Sequence, residues 1–209
     1  NFEKGVQFMG SGKTELARIA FENVLKENPS QIKSLEYLGD IAGQNKNWDK
    51  AIVYYKKIKQ LQPNNAEYHY KYGGALGMKA KSVNKFKAIG MIDEIKSSFE
   101  KAVALDPKHK ESRWALLMLY LELPGIIGGS ETKAVAYSNE LMRLSPLEGY
   151  LSKGYIDEYF GRNKKAEINY LKALEINNSK IAFQKLYNLY AYKLKNSEKA
   201  QQLKEQFDK

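Results

Sequence analysis

The property that most limits what this chain can fold into is a period. Gly5 and Gly39, Ala17 and Ala51, Phe21 and Tyr55, and Pro29 and Pro63 are each 34 residues apart, and Gly73 continues the glycine series. Four matches at one spacing, in one order, point to a chain that stacks copies of one supersecondary unit. The spacings inside each repeat hold as well. Glycine leads alanine by twelve residues in Gly5/Ala17, Gly39/Ala51 and Gly154/Ala166, and an aromatic follows that alanine by four at Phe21, Tyr55 and Tyr170. Proline follows the alanine by twelve at Pro29, Pro63 and Pro146, the last counted from Ala134.

Each feature has a physical reason if the repeat is two antiparallel helices, A and B. A small residue such as Gly39 or Ala51 lets two helix axes approach closely. Residues four apart share a helix face, so Tyr55 fills the wedge one turn beyond Ala51. Proline in Leu61-Gln62-Pro63-Asn64-Asn65 stops one helix and suits the opening of the next.

These residues resemble the tetratricopeptide-repeat (TPR) family over essentially the whole chain. The second repeat carries the likeness most clearly, with Leu35, Leu38, Gly39, Trp48, Ala51, Tyr55, Leu61 and Pro63 at the family's signature positions. The resemblance implies an all-α fold, a right-handed superhelical solenoid of about six antiparallel helix pairs forming one domain over 1–209. The repeats are expected at about 1–31, 32–65, 66–109, 110–146, 147–179 and 180–209, the last lacking its aromatic at Lys204.

Two repeats depart from the regular length. The stretch from Gly73 to Phe99 is about ten residues too long, which predicts extended helices in the third repeat, with helix B over about 84–105 and Gly90 its weak point. The fourth gains about five residues as Pro124-Gly125-Ile126-Ile127-Gly128-Gly129-Ser130. Together with Phe99-Glu100-Lys101-Ala102-Val103-Ala104-Leu105-Asp106-Pro107, this loop is similar to a subset of bacterial TPR proteins that are often exported.

Composition narrows the partners. No run approaches the roughly 18 uncharged apolar residues of a membrane span. The absence of cysteine excludes disulfides, thiolate metal sites and cysteine nucleophiles, and fits an exported, oxidising compartment better than the cytoplasm. The chain opens on Asn1 and not on methionine, which implies that a leader, an anchor or a further domain was removed or left out. A net charge of +10 favours acidic partners, anionic membrane surfaces or nucleic acid. The lysines are spread along the chain, however, with modest clusters at Lys56, Lys57 and Lys59 and at Lys79, Lys81, Lys85 and Lys87. That distribution reads as solvated helix faces and argues against nucleic acid.

Catalytic signals are weak. Gly10-Ser11-Gly12-Lys13-Thr14 reads like the end of a phosphate loop, but Gln7 stands where such a loop needs its first glycine, and no buried strand precedes it. The repeat aligns these residues with Gln44-Asn45-Lys46-Asn47-Trp48 and Phe160-Gly161-Arg162-Asn163-Lys164, the turn between helices A and B. The glycines of the 124–130 loop suggest an anion-binding nest, but a longer turn with Ile126 and Ile127 packed on a neighbouring helix and Ser130 capping helix B is the favoured account. His69 and His109 lack partners at metal-ligand spacing and read as surface residues. No enzyme, cofactor or metal is implied.

The resemblance places ligands against the A helices. The matching positions are Glu36, Tyr37 and Asp40, then Tyr70, Lys71 and Gly74, then Trp114, Met118 and Leu121, then Leu151, Tyr155 and Tyr159, and finally Lys185, Leu189 and Tyr192. The carboxylate clamp by which some TPR domains grip acidic chaperone tails is missing, since Glu36, Asp40, Tyr70, Gly74, Leu151 and Tyr155 occupy its places. The expectation is therefore a monomeric or weakly dimeric scaffold that binds a peptide or protein segment against these aromatics. Two alternatives stand beside it: a structural component of a larger cell-envelope complex acting through the convex face, and, more remotely, nucleotide binding at Gly10–Thr14.

Overall fold

Gly39 and Tyr55 define how the helices of this chain meet. In a computed structural model, a Cβ added at Gly39 would lie 2.5 Å from the Tyr55 ring, so only glycine lets that ring lie flat on the neighbouring helix. The same closeness recurs between Gly5 and Phe21, at 2.5 Å, and between Gly154 and Tyr170, at 2.4 Å. The structure describes residues 1–207, all in helices and turns. It divides into two compact units, one ending at Ser112 and the other beginning at Arg113.

The first unit contains α1 (Phe2–Gly10), α2 (Thr14–Glu27), α3 (Ile32–Gln44), α4 (Trp48–Leu61), α5 (Ala66–Ser82), α6 (Lys85–Ile89) and α7 (Ile92–Leu105). Its helices pack as the pairs α1/α2, α3/α4 and α5/α7. Ala17, Phe21, Leu38 and Ile41 form a buried cluster, flanked by Phe2, Phe8, Met9 and Tyr37. The second unit takes most of α8 (Lys110–Glu122), then α9 (Glu131–Leu144), α10 (Pro146–Tyr159), α11 (Asn163–Asn177), α12 (Lys180–Asn188) and α13 (Ser197–Phe207). Its core includes Leu151, Ala166, Tyr170, Leu186, Leu189 and Leu203. A π-helical turn over Leu189–Lys193 extends α12.

Four of the turns inside pairs are built alike. Each has three residues, and the middle one has positive φ: Gly12 at 69°, Lys46 at 56°, Gly161 at 70° and Lys195 at 50°. The third residue donates its amide back into the preceding helix, from Lys13 to Phe8, Asn47 to Ala42 and Arg162 to Asp157, each at 2.8 Å. This is the closure expected of a helix that ends on a left-handed residue. Between pairs, the residue before each new helix caps it: Gln31, Asn65 and Ser145 accept from the amides of Ser34, Glu67 and Glu148.

The two lengthened repeats differ from expectation. The continuous helix expected over 84–105 is broken at Gly90 and Met91, so the extra residues form a longer α5 and a separate short α6, while α7 keeps the usual length. The start expected near Asn84 holds, its side chain accepting from the Lys87 amide, and the break falls at Gly90, the weak point of the run, where glycine lowers helix propensity. In the fourth pair, Ser138 replaces the aromatic and bonds the hydroxyl of Ser152 at 2.7 Å. Ser130 caps α9 as anticipated, but Ile126 is 96% exposed and packs on nothing. The amides of Ile127, Gly128, Gly129 and Ser130 all donate to backbone carbonyls, so this loop is a closed turn and not an anion nest.

Both histidines are buried, contrary to the surface reading. His109 accepts from the Ser112 amide through Nδ1, at the start of α8, and reaches Glu67 through Nε2 at 3.2 Å. His69 Nε2 lies 2.8 Å from the Pro63 carbonyl, and burial pushes its pKa down.

Candidate binding surface

In the first unit, the A-helix positions combine an ion network with a small aromatic wall. The Lys71 ammonium donates to Glu36 at 3.0 Å and to both Asp40 oxygens at 2.9 and 3.2 Å. Tyr55 adds its hydroxyl to Asp40 at 2.6 Å, and Lys33 bonds Glu36 at 2.8 Å. Burial alone disfavours both charges. The bonds outweigh it, raising the pKa of Lys71 and lowering that of Glu36. Asp40 and Lys71 therefore satisfy one another instead of offering separate charges to a partner.

Tyr37 stacks on Phe21, with ring centroids 4.6 Å apart and nearly parallel planes. Its remaining face borders a cleft of about 540 Å³ lined by Phe2, Val6, Lys33, Glu36 and Asp40. Phe2 and Val6 were not picked out from the sequence, yet the period marks them: they precede Glu36 and Asp40 by 34 residues. Tyr70, by contrast, is drawn into the packing between helices. Its ring sits 6.0 Å from Phe99 and 5.2 Å from His109, half-buried.

The second unit carries the more open aromatic surface. Trp114 is half-buried, and its indole N–H donates to Glu148 at 2.7 Å, which fixes the ring plane. Tyr155 meets Trp114 edge-on at 6.2 Å, and the Lys185 ammonium lies 5.1 Å from the centre of the Tyr155 ring. Burial, reinforced by Glu122, raises the Tyr155 pKa, so its hydroxyl stays protonated and able to donate. Tyr159 is 47% exposed and touches Phe160 edge-on, while Tyr192 is 70% exposed on the π-helical turn.

Not every expected position faces outward. Leu121, Leu151 and Leu189 are buried and belong to the core, as do Leu117 on α8, Ile156 on α10 and Leu186 on α12. Met118 is half-buried. Glu148, which orients Trp114, went unnoticed because an isolated surface acid carries no motif. Its place one turn into α10, at the Ser145 cap, is visible only in three dimensions.

The Gly10–Thr14 segment is a helix terminus. The amides of Ser11, Gly12 and Lys13 donate to Gln7, Met9 and Phe8 carbonyls, so the donors a phosphate would need are engaged. Among the described residues, no group of three or more His, Asp or Glu side chains is placed to hold a metal ion.

Comparison with known proteins bears on the repeats and the fold. Residues 33–65 and 147–180 each match a family model described as tetratricopeptide repeat. The chain carries tetratricopeptide repeats. Among solved TPR structures, TTC0263 from Thermus thermophilus is 21% identical, with TM-score 0.70 over 92% of this chain and 96% of that one. PilW, a widely conserved type IV pilus biogenesis factor, is 17% identical, with TM-score 0.71 over 98% and 89%. These likenesses establish the TPR solenoid fold. The human protein O-mannosyl-transferase TMTC3 is 24% identical over 90% of this chain, which spans only 21% of that protein. TPR folds are typically scaffolds for protein interaction, and the matched repeats support such a role here.

Proposed function

We propose that the chain binds a segment of a partner protein or peptide against the A-helix face of the second unit, with Trp114, Tyr155 and Tyr159 as anchors. One observation supports this reading above others: Trp114 is held by Glu148 and braced by Tyr155 while remaining partly exposed. A ring fixed before binding loses little entropy on contact, and rigid aromatics of this kind dominate interface energetics. Lys185 beside Tyr155 adds a cation at the edge of the surface, which favours an acidic or carbonyl-rich neighbour in the ligand.

The test begins with peptides selected from a displayed random library on the wild-type chain. Their affinities are then measured by calorimetry for wild type and for the triple variant W114A/Y155A/Y159A, with circular dichroism verifying the fold. A loss of at least about thirtyfold is expected, since hot-spot truncations cost about 2 kcal/mol or more. Unchanged affinity in a folded triple variant removes the proposal. A Trp48→Phe background leaves Trp114 as the single indole, so its emission reports contact directly.

A further inference from the structure

Helix α6 is built with care yet buries nothing. Asn84 caps it through the Lys87 amide at 3.0 Å, and Gly90 and Met91 close it with bonds to the Phe86 and Ala88 carbonyls. None of its residues is buried, and Phe86 is 89% exposed, with Ile89 at 47%. Positions three apart share a helix face, so Phe86 and Ile89 form one apolar edge, and Lys85 and Lys87 flank Phe86 about 100° to either side. From Lys79 to Ile92 there are four lysines and no acid. Asp49 engages Lys79 at 2.7 Å, on α5, which leaves the lysines of α6 itself beside the apolar edge.

We propose that α6 is a peripheral docking tip that seats Phe86 and Ile89 at the headgroup level of an anionic lipid bilayer. Apolar side chains on one edge with lysines beside them match the boundary between acyl chains and phosphates, where the lysine stems lie along the apolar layer and their ammonium groups reach the headgroups. The edge is far smaller than the roughly 800 Å² per side that a stable protein partner requires. Its flanking lysines repel a second copy of the same tip, and base stacking would use Phe86 but leave Ile89 without a role. No helix among the described residues is long and apolar enough to cross a membrane, so the contact is peripheral.

The test is co-sedimentation of the full chain with vesicles of phosphatidylcholine, with and without one-third phosphatidylglycerol, in about 0.1 M salt. Binding to the anionic vesicles alone is expected, reduced at least about tenfold by F86S and about fivefold for each of K85Q and K87Q. These side chains are exposed, so the variants keep the fold, which thermal unfolding verifies. Three results overturn the proposal. Binding that F86S leaves intact means simple adsorption of a chain with net charge +10. Equal binding to neutral vesicles, or none to anionic ones, removes the lipid. Self-association that needs Phe86 in the absence of vesicles assigns the edge to a second copy.

Discussion

Gly39→Ala and Gly77→Ala are the same chemical change in neighbouring helices of the first unit, and the structure predicts opposite signs. At Gly39 the new methyl would lie 2.5 and 2.8 Å from two atoms of the Tyr55 ring. That ring is 7% exposed, and its hydroxyl is tied to Asp40 at 2.6 Å, so it has little room to yield. Overpacking of this kind costs about 1–3 kcal/mol, against which helix propensity returns at most about 1 kcal/mol. The net is a loss of up to about 2 kcal/mol, or up to about 8 °C in Tm for a chain of this size. At Gly77, on α5, nothing lies within 4 Å of the added Cβ. Only the propensity term remains, so this variant gains about 0.5–1 kcal/mol. Urea unfolding followed by circular dichroism reads both in the same transition. A double-mutant cycle with Tyr55→Ala locates the cause, because removing the ring should turn the Gly39→Ala penalty into a gain. If both glycine variants move stability in the same direction, the account of how the helices of each pair meet is wrong.

Other outcomes follow from single sites. Glu36 is depressed below 4.5 and Lys71 is raised above 10.5, so their bond stabilises the first unit between those values, weakening as Glu36 is protonated below pH 4.5 and as Lys71 is deprotonated above 10.5. Glu36→Gln should flatten the acid limb of the stability profile in urea titrations, and an unchanged limb counts against the network. Ser34 is wholly buried and its hydroxyl has no hydrogen-bond partner, so Ser34→Ala should be neutral or stabilising by up to about 1 kcal/mol; a clear loss in thermal unfolding would point to a missed bond. Lys46→Gly relieves a φ of 56° at an exposed turn and should raise stability by up to about 1 kcal/mol, whereas a fall in Tm contradicts the turn geometry.

The period made the fold legible because glycine and the facing aromatic are constrained together: wherever the ring lies flat on the opposite helix, no other residue fits. The same logic failed where spacing alone was used. The run 84–105 marks Gly90 as a weak point, but spacing alone does not separate a glycine tolerated inside a helix from one at which the helix ends. Tyr37 and Asp40 stand on α3, and Tyr70 and Lys71 on α5, but the sequence does not tell a ring facing solvent from one wedged between helices. Tyr70 meets Phe99 and His109, and Asp40 is held by Lys71 and Tyr55. Partners such as Glu148 for Trp114 lie 34 residues away and belong to the next pair, a pairing that a one-dimensional pattern does not specify.

The three-residue turn with its left-handed middle residue closes four helix pairs, and in the two remaining pairs it has been opened to admit α6 or the 124–130 loop. Gly73 still approaches Phe99 across the opened turn, with a Cβ there 2.9 Å from the ring. The joint and the packing are thus separable, and the joint behaves as a grafting port. A foreign recognition loop spliced between Asn45 and Asn47 should be carried by the α3/α4 pair much as α6 is carried by α5/α7. Diversification of such a scaffold can then proceed at its turns while the helix pairs stay as they are.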